Sequence, residues 1–278
     1  MSIVATNYWP DPRCAKAFWA QHDLPPYRQL LADTVEWADP GPGERWLDLG
    51  CGGGALTRAI WERTGGTVGA VVGADCAAAN EDAYARLRET LAPLPGDRVR
   101  FVCHDFSAGL GAFADGTFDH AVSGLSISYA ESFDPEAGAW TTVAYDRVLA
   151  EVFRVLRPGG RFVFSVNVPD PSWGRVARFS LGAALRTERP LRHLKRSWRM
   201  LCYGRWLKRE ARAGRFHYLP AGAVTDRLGR SGYSQVAHRL SYCDQAYIFR
   251  AVKPRERAGE PCGAARSPCR HLGASSGT

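Results

Sequence analysis

The stretch that most constrains this chain is residues 46–58, WLDLGCGGGALTR. An apolar run enters four glycines, and residues of helix-forming composition follow. In a sheet of parallel strands, the turn from a strand into a helix N-terminus is the usual seat of a nucleotide-like ligand. Glycine admits left-handed backbone there and lets the main chain approach the ligand without a Cβ in between. A chain opening this way is expected to continue by alternating strand and helix.

It does. Apolar runs at residues 45–49, 67–74, 98–104, 118–123 and 161–168 read as strands, and residues 55–63, 77–91 and 145–156 read as helices. Asp75 closes the second strand and Asp105 the third, while residues 158–160, PGG, punctuate the approach to the fifth. This spacing predicts βαβ units and a parallel sheet covered on both faces. The ending differs: a helix near 221–231 stops at Gly232, and strand-like runs at 233–240 and 246–252 are separated by only a few residues. So short a link allows antiparallel pairing alone, because a parallel crossover needs a dozen residues or more. The fold class expected is therefore α/β, Rossmann-like: a mostly parallel seven-stranded sheet with a C-terminal antiparallel hairpin.

Bulk properties bound the function. At 278 residues with 45% hydrophobic and 23% charged content, the chain has the composition of a globular protein. The start has no charged segment leading into an apolar one, and no apolar run approaches eighteen residues. The eight cysteines form no CxxC pair and read as free thiols, which places the expected location in the cytoplasm. The net charge of +8 is concentrated: residues 171–216 hold thirteen Lys or Arg against Glu188 and Glu210, a net +11, which leaves the remainder at −3.

Two ligands compete for the glycine turn. Gly50, Gly52 and Ala55 fit the G-x-G-x-x-G/A fingerprint of dinucleotide sites, with an acid following at Asp75. A dinucleotide brings a pyrophosphate, which the carboxylate of Asp48 would repel. S-adenosylmethionine brings an ammonium and a sulfonium, and an acid there is favourable. The stretch LDLGCGGG also resembles motif I of the class I S-adenosylmethionine-dependent methyltransferases, with Asp48 at the acidic position and Gly50, Gly52 and Gly54 as the glycines. The run VLRPGGRFVFSV at 155–166 is similar to the helix–turn–strand after motif IV of the small-molecule branch, nearest the "type 11" group related to the ubiquinone and menaquinone methyltransferases.

The resemblance spans roughly 40–254 and is weak across 170–216. It implies S-adenosyl-L-methionine as cofactor and no metal. It further implies that Asp75 accepts the ribose hydroxyls, that Asp105 and Phe106 meet the adenine, and that the backbone near Ser123 faces the donor's ammonium. Each residue has a plainer reading beside this one: Asp75 as a helix cap, Phe106 as core, Ser123 as part of a polar loop. The expected organisation is an aromatic, helical cap over 1–39, a methyltransferase domain over 40–254 with a basic helical lid at 171–216, and a disordered tail over 255–278.

The acceptor side carries less signal, because in-line methyl transfer asks mainly for positioning. The expected acceptor is a small molecule, apolar or anionic. The Asn/Asp-Pro-Pro-aromatic motif of enzymes that methylate base amino groups is missing after the fourth strand, where SGLSISY stands, so nucleic acid is not the expected partner. Ser126, Ser128 and Tyr129 fall at the acceptor edge. Tyr129, His217 and His104 are the general-base candidates, His104 reading as structural within a buried strand. Cys51, Cys76 and Cys103 lie near the carboxyl ends of the first three strands and read as small buried hydrophobes rather than metal ligands. Phe18, Trp19 and Tyr27 are candidate pocket-lining aromatics. Leu191, Leu194, Trp198 and Leu201 recur at helical spacing among basic residues, the pattern of helices that meet a membrane surface or a partner; it fits a lid packing over the pocket, a lid presenting Arg to an anionic or lipid-like acceptor, or non-specific nucleic-acid affinity. Two other readings stay open: a donor-binding protein without transfer, and a methyltransferase of a macromolecule.

Overall fold

A computed structural model describes residue 9, residues 24–184 and residues 202–255, with the side chains of 180–184 left aside. The elements in order are α1 (Pro25–Ala38), β1 (Arg45–Leu49), α2 (Ala55–Arg63), β2 (Ala70–Asp75), α3 (Asn80–Thr90), β3 (Val99–Cys103), β4 (Phe118–Gly124), β5 (Phe133–Asp134), β6 (Ala139–Trp140), α4 (Val143–Val155), β7 (Leu156–Asn167), α5 (Trp173–Ala184), a helix α6 over residues 202–212, α7 (Ala221–Arg230), β8 (Ser234–Ser241) and β9 (Ala246–Val252).

Seven strands form one sheet in the order β3-β2-β1-β4-β7-β9-β8. Pairings among β1, β2, β3, β4 and β7 are parallel, and β9 runs against both of its neighbours. The antiparallel ending expected from the short link is present. β5 and β6 make a separate two-stranded ribbon between β4 and α4.

Alternation along β1 sets both layers. Leu47 and Leu49 enter the cluster that Val148, Leu149 and Val152 of α4 share with Val224 and Leu228 of α7. Trp46 enters the opposite cluster, with Leu30 of α1, Ile60 and Trp61 of α2, and Tyr84 and Leu87 of α3. Successive side chains of a strand point to opposite faces, so Asp48 shares the face of Trp46 and points toward α1–α3.

Three sequence expectations need correcting. The strand at 161–168 in fact begins at Leu156: its pairing with β4 jumps from Phe118↔Leu156 to His120↔Arg161, and the PGG segment is an irregularity within the strand. Gly159 N–H donates to Lys253 O, and Lys253 N–H to Gly160 O, so the chain just past β9 ties the segment to the sheet. His104 lies past the end of β3 rather than inside a buried strand, because β3 is an edge strand with Arg100 exposed. Its ring nitrogen Nε2 sits 2.7 Å from Gly109 O. Cys103 is exposed for the same reason and is no buried hydrophobe, whereas Cys51 is buried and Cys76 half-buried.

Candidate functional site

The glycine turn sits where β1 separates β2 from β4, at the carboxyl ends of the parallel strands. Gly50 N–H donates to Ala74 O, and Ser123 and Ser126 hydroxyls both donate to Leu49 O, at 2.8 and 2.9 Å. The turn is therefore tied to β2 on one side and to the loop after β4 on the other. Gly50, Gly52 and Gly54 all have left-handed φ, +66°, +50° and +80°.

Their surroundings divide them. A Cβ on Gly50 would lie 2.3 Å from the Ser126 side chain, and one on Gly54 would lie 2.5 Å from Leu87 Cδ2. Those two glycines make room for protein. A Cβ on Gly52 would meet nothing within 4 Å among the described residues, so of the three glycines Gly52 is the one that presents bare backbone to open space there.

Asp48 is 1% exposed. Its Oδ2 accepts from Thr57 N–H at 3.1 Å and Thr57 Oγ1 at 2.7 Å, and Thr57 Oγ1 is 2.6 Å from the Tyr84 hydroxyl. Its Oδ1 has no partner among the described residues. Burial lifts the carboxyl to about 6, the Thr57 bonds oppose that, and Asp75 adds to it. Tyr27, Cys51 and Tyr84 also face this carboxylate, and no ion pair to it occurs among the described residues. A buried carboxylate with a free oxygen and no cation is costly unless a ligand supplies the charge.

Asp75 joins the same surface. Its Oδ2 accepts from Gly52 N–H at 3.0 Å and its Oδ1 from Ala77 N–H at 2.9 Å. Burial raises its pKa, and the backbone bonds and Asn80 pull it down. It does not cap α3, whose N-cap is Ala79. Asp105 caps the short turn 106–108 by accepting from Ser107 N–H at 2.9 Å. Phe106 is buried in the core, yet its ring is 3.3 Å from the Cβ position on Gly50, so it backs the turn. Ser123 spends its hydroxyl on Leu49 O and lies 2.5 Å from Ser126 Oγ.

The acceptor candidates separate. His217 N–H donates to Ser128 O, which lays residues 216–218 along the loop after β4. Phe216 and Tyr218 pack on Tyr129, with ring centroids 4.9 and 6.2 Å apart. The ring between them, His217, turns instead to Tyr145 at 6.0 Å and bonds the Thr141 backbone. Burial lowers its pKa, and Nε2 has no partner among the described residues. Tyr129 and His217 thus serve different surroundings. Burial pushes the Tyr129 hydroxyl up to about 12, against a pull from its bonds to Tyr218 and Asn167. A phenol so placed donates and orients; it is a poor base at neutral pH.

Of the aromatics expected to line a pocket, Tyr27 places its hydroxyl 3.7 Å from the Cβ position on Gly124. Phe18, Trp19, the stripe at Leu191, Leu194, Trp198 and Leu201, and most of the 255–278 tail lie outside the described residues. Sequence reading missed Thr57, Tyr84, Asn167 and Tyr218. Thr57 carried a usable signal, since it stands three residues past the last glycine, where a helix still has a spare N–H. The others are assembled by the fold.

The sheet order with its reversed β9 gives the fold seen in solved methyltransferase structures. Residues 47–164 match the family model described as "Methyltransferase domain". The chain is 37% identical over 132 residues to "2-phytyl-1,4-naphtoquinone methyltransferase" of Thermosynechococcus vestitus, a match covering 46% of this chain and 48% of that one. It is 31% identical over 147 residues to "Nocamycin O-methyltransferase" of Saccharothrix syringae, covering 52% and 46%. The chain thus spans about half the length of the curated relatives it matches. Among solved structures, the N-methyltransferase NodS from Bradyrhizobium japonicum in complex with S-adenosyl-L-homocysteine superposes with a TM-score of 0.56 at 15% identity, covering 90% of this chain and all of that one. A Haloferax volcanii complex of the Trm112 methyltransferase activator with a methyltransferase gives 0.59 at 16%, covering 90% and 98%. These likenesses are of fold.

Proposed function

We propose that this chain is an S-adenosyl-L-methionine-dependent methyltransferase of a small-molecule acceptor. The observation that carries this reading is the pairing, among the described residues, of Gly52, open to space, with Asp48, buried and holding an unpartnered Oδ1. A flat adenosyl ligand with a cationic amino-acid end fits bare backbone beside an uncompensated carboxylate, whereas a pyrophosphate does not. When bound, the donor supplies the methyl group on a sulfonium, with a good leaving group already attached. Asp48 and the Gly52 backbone hold its methionine end, Asp75 takes the ribose hydroxyls on lone pairs not used by Gly52 and Ala77, and Asp105 with Phe106 bounds the adenine. The chain's work is to align acceptor, methyl and sulfur and to exclude water.

The curated relatives are named for 2-phytyl-1,4-naphthoquinone and for nocamycin, which supports a small organic acceptor. No helix among the described residues is long and apolar enough to cross a membrane, and Cys51, Cys76, Cys103, Cys202 and Cys243 are free, which supports a cytoplasmic location. The basic segment 171–216 is proposed as a lid that meets the acceptor or a membrane surface. Liposome flotation separates these: equal, negligible binding to anionic and neutral vesicles removes the membrane.

Turnover to S-adenosylhomocysteine on a metabolite extract tests transfer, and its failure despite donor binding would leave a binding protein. A carboxylate accepting two hydroxyls makes charge-assisted bonds worth roughly 1.5–3 kcal/mol each. Asp75→Ala therefore weakens S-adenosylhomocysteine binding at least about tenfold in calorimetry. An unchanged dissociation constant removes Asp75 from the site.

A further inference from the structure

At the carboxyl end of the sheet, beside the proposed donor turn, three side chains from separate segments meet. Asn167 is the last residue of β7, Tyr129 stands in the loop after β4, and Tyr218 lies where the insertion returns to the core. Asn167 is fully buried and Tyr218 is 8% exposed, while Tyr129 is half-buried. Asn167 Nδ2 donates to the Tyr129 hydroxyl at 3.1 Å and bonds Tyr218 as well, and the two hydroxyls are 3.2 Å apart.

The donor and acceptor inventory of this triad does not close. The amide's hydrogens serve the tyrosine oxygens. One tyrosine donates to the other, so one hydroxyl hydrogen remains without an acceptor in the triad. Asn167 Oδ1 has no partner among the described residues. The triad is left with one O–H to donate and one amide oxygen to accept. Buried polar groups in native proteins are otherwise almost always satisfied, by protein, water or ligand. A single group that both accepts and donates completes the set, and an alcohol or phenol does this.

The walls favour a ring. Phe216 stands 4.9 Å from Tyr129 and 5.5 Å from Trp206, and Trp9 stands 4.8 Å from Tyr129. Rings at such spacing are in mutual contact, so they form one aromatic wall beside the triad, and a planar apolar body packs on the face of such a wall. The donor turn is close along the chain: Ser126, three residues before Tyr129, bonds Leu49 O at the start of the glycine turn.

Resting on the methyl-transfer reading, we propose that Tyr129, Tyr218 and Asn167 form the receptor for a hydroxyl on an aromatic acceptor, and hold that oxygen for methylation. Asn167 Oδ1 accepts the acceptor's O–H, and the spare tyrosine O–H donates to the acceptor oxygen. On transfer, the bond from methyl carbon to sulfur breaks as the bond from carbon to acceptor oxygen forms, and the hydroxyl proton leaves to solvent. The methyl ether produced can still accept but can no longer donate to Asn167, so the receptor holds substrate more tightly than product.

The test uses the full chain saturated with S-adenosylhomocysteine and two probes, 1-naphthol and its methyl ether 1-methoxynaphthalene, with binding read by calorimetry. The parent is expected to bind the naphthol at least about tenfold more tightly, since one good hydrogen bond to a buried group is worth about a decade. Asn167→Leu and, with less disturbance to packing, Tyr218→Phe bring the two probes within about threefold of each other, while S-adenosylhomocysteine affinity stays at the parental value. Equal binding of the probes to the parent, binding of neither, or a preference that survives both substitutions overturns the receptor. Failure of S-adenosylhomocysteine to bind the parent is a separate result and strikes the methyl-transfer reading itself.

Discussion

Asp48→Asn is expected to make the ligand-free protein more stable at pH 8 and a worse binder of S-adenosylhomocysteine. The buried Asp48 carboxyl keeps its proton up to about pH 6, whereas in the unfolded chain it releases it near the ordinary carboxylate value of about 4. The native state therefore holds the extra proton between those values. Its stability falls as pH rises through that window and stays reduced above it. The gap corresponds to a penalty on the order of 3 kcal/mol at neutral pH and above.

Asparagine removes the charge and can still accept from Thr57, although it buries an unpartnered N–H₂ in place of Oδ1, at about 1–3 kcal/mol. The net result is a rise in Tm of up to a few degrees at pH 8 that reverses to a loss by pH 4, where the parent's Asp48 is neutral and only the cost of the amide remains. Affinity for S-adenosylhomocysteine, whose ammonium loses its counter-charge, falls at least about tenfold. Thermal melts at the two pH values and calorimetry at pH 8 check both halves. A lower Tm at pH 8 means that the charge is not penalised. Parental affinity means that the ligand's cation lies elsewhere.

The second large effect separates the glycines. Gly50→Ala drives a Cβ into Ser126 at a left-handed φ, so overpacking of about 1–3 kcal/mol adds to backbone strain of about 1–2 kcal/mol. Gly54→Ala meets Leu87 in the same way. Both variants lose several degrees of Tm. Gly52→Ala bears only the backbone strain, because its Cβ enters open space. Its stability drops little, yet its affinity for S-adenosylhomocysteine drops more than about tenfold, since the methyl stands where the ligand is proposed to lie. Should Gly52→Ala bind as the parent does, that glycine faces solvent and not a ligand.

The proposed base His217 admits a simpler check. Its ring faces Tyr145 and Thr141 while its neighbours Phe216 and Tyr218 face Tyr129. His217→Gln is expected to keep kcat/KM once an acceptor is in hand. A loss of two orders of magnitude or more, the scale of general-base catalysis, would return His217 to the reaction.

What the sequence determined by itself is the part of this protein written locally. Strand and helix periods, the PGG punctuation and the two short-linked final runs specify the doubly wound sheet with one reversed strand, because alternation and link length leave few topologies. The glycine turn with Asp48, Asp75 and Asp105 at strand ends pointed to the side where the donor is proposed to lie, since those residues are close in sequence to the elements that carry them. Tertiary structure alone decided three things. It showed that Gly50 and Gly54 make room for Ser126 and Leu87, leaving only Gly52 open, since clearance depends on atoms more than thirty residues away. It exposed β3 at the sheet edge, so that His104 and Cys103 lost the buried setting their apolar neighbours suggested. And it brought Asn167 to Tyr129 and Tyr218, which stand 38 and 51 residues from it in the chain. Periodicity reports which face of an element is apolar; which distant atoms fill the space against that face is settled only by packing.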